Sequence, residues 1–225
     1  MKLAITHLVL STATFGLMLA VPQNAQAAGL IPSVTANVVT GGTGFGSIGF
    51  TTNGAGLIGP PVNKPTLTGN HSSSSNTNSW RSGLLDASTV GQAVIQFTFP
   101  RVYNLAGFSF WNLGGTTALA NQGINGVTIQ YSSNNGGTWT TLTGAPQSFL
   151  KGASTVPVPV QTFNFTPVFA TNVRFINMSN QGATGTSYRL GFNEIQFTSI
   201  PEPSTTLALL ALGLAGMGLG LRKRI

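Results

Sequence analysis

The sequence contains no cysteine. This absence excludes disulfide bonds, thiolate chemistry, iron–sulfur clusters and cysteine-ligated zinc. The folded chain must therefore be stabilised by the burial of apolar side chains and by backbone hydrogen bonds.

Carboxylates and histidines are almost as scarce. Between the two ends of the chain, Asp86 and Glu194 are the only carboxylates and His71 is the only histidine. A Ser–His–Asp triad would have to use His71 and Asp86, but the chain has no G-x-S-x-G segment. No spacing brings Asp86 and Glu194 together as a glycosidase pair. We predict that the protein is not an enzyme, and a hydrolase is the least favoured alternative.

Because carboxylates and histidines are scarce, a metal site would lack side-chain ligands, so we predict no metal and no cofactor. Backbone carbonyl oxygens in loops leave a loop-bound Ca²⁺ open, but no pattern indicates one. His71 lies in a loop rich in serine and asparagine, which favours a solvated side chain.

Clusters of charge are also lacking. The central part of the chain has a net charge of +4, because it contains six basic residues and only two acidic ones, Asp86 and Glu194. The basic residues are scattered singly along the sequence: Lys64, Arg81, Arg101, Lys151, Arg174 and Arg189. Proteins that bind nucleic acids gather such residues on one face. We therefore interpret these charges as solubilising and predict no nucleic-acid partner.

The N-terminal end has the layout of a secretory signal peptide. Lys2 provides a positive start, an apolar stretch covers 8–21, and Ala25-Gln26-Ala27 provides the small-x-small cleavage pattern. We expect a signal helix and removal of residues 1–27. The rest of the chain up to residue 199 is long enough for one domain.

The domain from 28 to 199 is predicted to be all-β. Its first part, to about residue 82, is rich in Gly, Ser, Asn, Thr and Pro, with a short strand near 34–39. Five later segments are β-prone, and most of them alternate apolar and polar residues: 92–99, 105–111, 126–132, 172–178 and 192–199. Short runs of this kind separated by turn residues favour an antiparallel β-sandwich or jelly roll. In the last segment, Ile195 and Phe197 alternate with Glu194 and Gln196, which places Glu194 on the polar face.

Two glycine-containing segments have a local interpretation. The segment SSNNGGTW (132–139) supplies residues that tolerate positive φ, as a hairpin requires. GFGSIG (44–49) matches the dinucleotide pattern G-x-G-x-x-G through Gly44, Gly46 and Gly49. The residues after it cannot form the helix that such a site needs, so we predict a turn segment instead.

Tryptophans near strand ends are candidates for stacking on a sugar ring. We predict ligand contacts by Trp80, Trp111 and the neighbouring Asn112, with core packing as the alternative for both tryptophans. Trp139 follows the predicted hairpin, and packing is favoured there.

The C-terminal end combines three elements. Pro201-Glu202-Pro203 is followed by an uncharged run over 207–221 and by Arg222-Lys223-Arg224. Fifteen residues of helix span about 22 Å, against about 30 Å for the hydrocarbon core, so a transmembrane helix here is short. The basic cluster stays cytoplasmic by the positive-inside rule. Pro201 and Pro203 keep the Pro-Glu-Pro segment, which precedes the uncharged run, extended and accessible.

This order of elements resembles the PEP-CTERM sorting signal of Gram-negative bacteria. The resemblance implies that residues 200–225 form a sorting segment with a transmembrane helix, recognised by an exosortase and processed at the motif. It also implies anchoring in the inner membrane before processing and a cell-surface or extracellular location afterwards.

The central domain resembles discoidin-like, galactose-binding jelly rolls. The resemblance is carried by FWNLGGTTALANQGINGVTIQYSSNNGGTWTTL (110–142) and by NVRFINMSNQGATGTSYRLGFNEIQF (172–197). It implies carbohydrate binding, and exopolysaccharide is the expected ligand. A structural matrix or biofilm protein without a small ligand is the alternative.

Overall fold

The computed structural model describes residues 29–59 and 61–200. The predicted signal peptide with Ala25 and Ala27, both flanking helices, and the sorting residues Pro201 to Pro203 and Arg222 to Arg224 lie outside the described residues. Within the described part, no helix is both long and apolar enough to cross a membrane.

The described chain is built from eleven strands and a few short helices. The strands are β1 (Gly29–Leu30), β2 (Thr35–Thr40), β3 (Thr43–Gly46), β4 (Leu57–Ile58), β5 (Asn70–His71), β6 (Trp80–Ser82), β7 (Val94–Asn112), β8 (Thr128–Ser132), β9 (Thr140–Thr141), β10 (Gln161–Ile176) and β11 (Gly191–Ser199). The helices are α1 (Thr117–Asn121) and three 3₁₀ turns at Ile48–Thr51, Val90–Gln92 and Gly185–Ser187. All strand pairs are antiparallel, so the predicted all-β antiparallel class is confirmed.

The two long strands β7 and β10 organise the fold. The segments predicted as separate strands at 92–99 and 105–111 are one continuous strand, β7, which pairs with β10 along most of its length. Register shifts in β10 between Asn164 and Val168 and between Ala170 and Asn172 interrupt this ladder. Such irregularities bend and twist a strand. The pair therefore runs through two layers.

The first layer contains β2, the start of β7, the end of β10, β8 and β9. The second layer contains the start of β10, the end of β7, β11, β6 and β3, with β1 on β11. The pair β4–β5 forms a separate small ladder.

Aromatic side chains fill the space between the layers. Phe97 of the first layer lies 5.3 Å from Phe197 of the second, measured between ring centroids. Phe175 of the first layer lies 6.3 Å from Phe108 of the second. Edge-on and tilted pairs at these distances are favourable beyond the area they bury. The aromatic contacts between the layers establish the predicted sandwich.

Along β7 and β11, the outer face of the second layer is also buried. A covering segment, residues 52–59 and 61–69, lies over it and hydrogen-bonds to its polar side chains. Ser109 donates to Leu67 O at 2.6 Å, and Gln196 donates to Thr52 O at 3.1 Å. The alternation of apolar and polar residues in β11 was predicted correctly, but all nine residues of the strand are buried.

The predicted hairpin is present. It joins β8 to β9, with Tyr131 opposite Thr140. Asn135 and Gly136 adopt φ values of 57° and 85°. These positive values explain why asparagine and glycine are needed at this turn.

Candidate functional site

The three predicted ligand residues have no exposed surface. Trp80, Trp111 and Asn112 are each 0% exposed. The indole nitrogen of Trp80 donates to Thr43 Oγ1 at 3.1 Å, and that of Trp111 donates to Gly69 O at 3.0 Å. A ring without an accessible face cannot stack on a sugar. In this fold both tryptophans are packed inside the protein, and their indole nitrogens hydrogen-bond to neighbouring segments. The covering segment, which the sequence pattern did not reveal, accounts for the burial of Trp111.

Asn112 ties two loops to the end of β7. Its Nδ2 donates to Ile124 O at 2.7 Å and to Leu150 O at 2.9 Å. Its Oδ1 accepts from the backbone nitrogens of Leu113 and Ile124. All of its hydrogen-bonding capacity is used inside the protein, which leaves nothing for a ligand.

Glu194 is a buried carboxyl group rather than a solvated one. It is 0% exposed, and its Oε1 accepts from Gly54 N at 3.0 Å and from Gln196 Nε2. Burial raises the pKa of Glu194 to about 8, while these two donors act in the opposite direction. Its Oε2 has no partner among the described residues. The side chain is therefore mostly protonated at neutral pH.

His71 is not the solvated loop residue that its sequence context predicted. It is 0% exposed, and its two ring nitrogens each lie 2.8 Å from a backbone oxygen, that of Ser72 and that of Ala55. Burial lowers the pKa of His71, although the two carbonyl oxygens oppose the shift. The residue is buried because the covering segment folds back over β5.

Asp86 is occupied in a local turn. Its Oδ1 accepts from the backbone nitrogens and hydroxyl groups of Ser88 and Thr89. These hydrogen bonds lower the pKa of Asp86 to about 2. Within the described residues, no three His, Asp or Glu side chains lie close enough to hold a metal ion.

The open face of the first layer carries a row of polar side chains. Five residues from five adjacent strands are in register across this face; we call them the polar row: Asn37, Gln96, Arg174, Gln130 and Thr141. Their neighbours along the strands, such as Phe97 and Phe175, point into the core. Five strands at about 4.8 Å spacing extend the row to roughly 19 Å.

Trp139 stands at the centre of this face, stacked on Arg174. The guanidinium carbon lies 4.3 Å from the centroid of the ring. Arg174 Nε donates to Gln130 Oε1 at 2.8 Å, which holds the guanidinium in place. Trp139 is half-buried, in contrast to the other two tryptophans. The predicted packing role fits the contact with Arg174, and the residue is not fully buried.

A groove adjoins the polar row. It has a volume of about 630 Å³ and is lined by residues 126–129, 141–147 and Asn177. Thr141 belongs to both the groove and the polar row, so the two form one continuous surface. The sequence could not reveal the row, because its members come from strands that are distant along the chain.

Comparisons with known proteins give a match at the C-terminal end. Residues 199–224 match the PEP-CTERM protein-sorting motif, which confirms the resemblance noted in the sequence. No curated protein matches the chain.

Three solved structures of bacterial domains illustrate the similarity of the fold. The first is CBM32-1 from a family 31 glycoside hydrolase of Clostridium perfringens, with 10% identity, a TM-score of 0.47, and coverage of 75% of this chain and 95% of that one. The second is the family 32 CBM of C. perfringens NanJ in complex with galactose, with 11% identity, a TM-score of 0.41, and coverage of 76% and 99%. The third is an F5/8 type C domain from Bacteroides fragilis, with 12% identity, a TM-score of 0.43, and coverage of 79% and 98%. These similarities are too distant to carry a ligand over to this chain.

Proposed function

We propose that this protein is exported, is sorted by an exosortase through its C-terminal signal, and binds an exopolysaccharide on the open face of the first layer. The match over residues 199–224 supports the sorting step. The polar row with Trp139 is the observation that carries the binding step.

The chemistry of the face suits a chain of sugars. Amide, guanidinium and hydroxyl groups offer both donors and acceptors to sugar hydroxyls, and an indole ring offers an apolar surface to the C–H face of a sugar. A row of about 19 Å exceeds a single ring and suits an extended oligosaccharide. The hydrogen bond from Arg174 to Gln130 fixes the stacked pair before any ligand arrives, which reduces the entropy lost on binding.

Affinity electrophoresis tests the proposal. The full chain would be run through gels that contain the exopolysaccharide purified from the producing culture. We expect retardation of the protein, and about tenfold weaker binding for Trp139→Ala and Gln130→Ala. Phe169→Ala is the matched control, because Phe169 is an aromatic residue that is 55% exposed and lies between the two register shifts of β10, outside the polar row.

Two outcomes would overturn the binding step. One is equal retardation of the protein and the Trp139→Ala variant. The other is no retardation by any polysaccharide together with self-association of the purified protein, which would favour the alternative of a structural matrix protein.

A further inference from the structure

Two of the basic residues, scattered singly in the sequence, come together on one aromatic ring. The guanidinium carbon of Arg81 lies 4.3 Å from the centroid of Phe45, and that of Arg189 lies 4.8 Å from it. Phe45 in β3 is directly opposite Arg81 in β6, and Arg189 enters from the segment before β11. Phe45 is 39% exposed, so this cluster lies at the surface. We call Arg81 and Arg189 the arginine pair.

The arginine pair has only neutral partners among the described residues. Arg81 Nη2 donates to Asn76 Oδ1 at 2.9 Å, and Arg189 Nη1 donates to Ser82 O at 2.8 Å. The two carboxyl groups of the described chain are engaged elsewhere, Asp86 in its own turn and Glu194 beneath the covering segment. Each guanidinium has five N–H donors, so most of them remain available.

The local electrostatics favour an anion. Burial lowers the pKa of Arg81, and the nearby charge of Arg189 lowers it further. Two like charges held close together in a partly dehydrated place repel each other, and a negative group between them or beside them would relieve both. A carboxylate is planar and fits the fork of a guanidinium with two parallel hydrogen bonds.

A glycine makes this arrangement possible. A Cβ on Gly44 would lie 2.4 Å from Arg189 Nη1 and 2.4 Å from Ser82 O. Only glycine lets the guanidinium pass this close to β3 and reach Ser82. Within the segment GFGSIG, this steric role belongs to Gly44 in β3. Gly46 also lies in β3, and Gly49 lies in the following 3₁₀ turn.

We propose that the arginine pair and Phe45 form a binding site for the carboxylate of an acidic sugar, such as a uronate residue of an exopolysaccharide. The carboxylate binds the guanidinium groups, and the exposed part of Phe45 contacts the sugar ring. Among the described residues, Asp86 is the only exposed acidic residue and the other charged residues outside the interior are basic, which also favours an acidic polymer. This site is distinct from the polar row and does not depend on it.

The test compares two polymers of the same sugar, one with free carboxylates and one in which they are methyl esters. Binding of the full chain to polygalacturonate and to its methyl ester would be measured by affinity electrophoresis at low salt. We expect polygalacturonate to bind at least tenfold more tightly. Arg81→Gln and Arg189→Gln should each remove most of this preference and leave binding to the ester unchanged. Trp139→Ala should weaken binding to both polymers, so failure of the polar row is distinguishable.

Two variants make the test specific. Arg101→Gln is the matched control, because Arg101 also stacks on an aromatic ring, 4.7 Å from the centroid of Tyr103. It removes the same charge and should keep the preference. Gly44→Ala leaves every charge in place but displaces Arg189, and it should weaken the preference as Arg189→Gln does. Melting curves of each variant confirm that it is folded, and Arg189→Lys replaces Arg189→Gln if the latter unfolds.

Several results would overturn the proposal. One is equally tight binding of polygalacturonate and its methyl ester. Another is that Arg101→Gln loses as much of the preference for polygalacturonate as the arginine-pair variants do. A third is that the arginine-pair variants are less stable but keep the preference unchanged. Equally tight binding of single-stranded DNA, lost in the same variants, would show that the site takes phosphate polymers rather than acidic sugars.

Discussion

At the scale of single residues, the polar side chains of the second layer contribute mainly to stability. Ser109, Trp111, Glu194 and Gln196 all point away from the aromatic core, and each hydrogen-bonds to the covering segment. A buried polar group costs free energy unless it is paired, so these bonds hold the covering segment in place.

Glu194 should make stability depend on pH. The pKa of this acid is about 8 in the folded protein and near 4.5 when the chain is unfolded. Between these values the folded state binds more protons, so stability is lost as pH rises. We expect the urea midpoint to fall between pH 6.5 and pH 8.5, and to fall much less in Glu194→Gln, which keeps the acceptor for Gly54 N–H. Equal falls in both proteins would contradict this assignment.

Trp111 and Trp139 should give opposite results when mutated. Trp111→Phe removes the donor to Gly69 O and leaves that oxygen without its partner, so we expect a loss of about 1–3 kcal/mol in the free energy of unfolding. Its binding of polysaccharide should not change. Trp139→Ala should have little effect on stability and a large effect on binding. Urea unfolding and affinity electrophoresis of both variants provide the check, and a binding defect in Trp111→Phe would contradict the assigned roles.

At the scale of structural elements, part of the fold could be predicted from local sequence. The pattern of 126–132 places Val127 and Ile129 inward, and both belong to the core. The hairpin at 132–139 followed from its Asn-Asn-Gly-Gly turn. Local patterns cannot show that a distant segment covers a strand. Trp111 and Glu194 were therefore expected to be more exposed to solvent than they are. Registers between distant strands are equally hidden, which is why the polar row was not predicted.

The residue just before the Pro-Glu-Pro triplet is hydrogen-bonded to the central domain. Ile200 N donates to Asn104 O at 2.9 Å, and the Pro-Glu-Pro triplet of the sorting motif begins with the next residue, Pro201. Backbone that is held in a folded domain is a poor substrate for cleavage. An insertion of about six glycine and serine residues between Ile200 and Pro201 should therefore speed processing in a host that carries an exosortase. A pulse–chase measurement gives the rates, with the same insertion after Gly59 as the control; slower processing with the insertion before Pro201 would contradict this expectation.

At the scale of the whole molecule, the two ends of the described chain lie side by side. β1 pairs with the end of β11, with Gly29 opposite Ser199 and Leu30 opposite Thr198. The signal peptide is predicted to end at Ala27, two residues before Gly29. The described part of the central domain therefore begins and ends at neighbouring positions. The polar row lies on strands between these two points, and the arginine pair lies on β6 and on the segment before β11.

The central claim is that the two ends of the chain direct its export and sorting and are removed in the process. The intact mass of the protein recovered from the cell surface or the medium tests this claim most directly. The account predicts the mass of a chain that begins at Ala28 and ends within residues 199–203. A mass that includes residues 1–27, or the apolar run and basic cluster after residue 203, would contradict it.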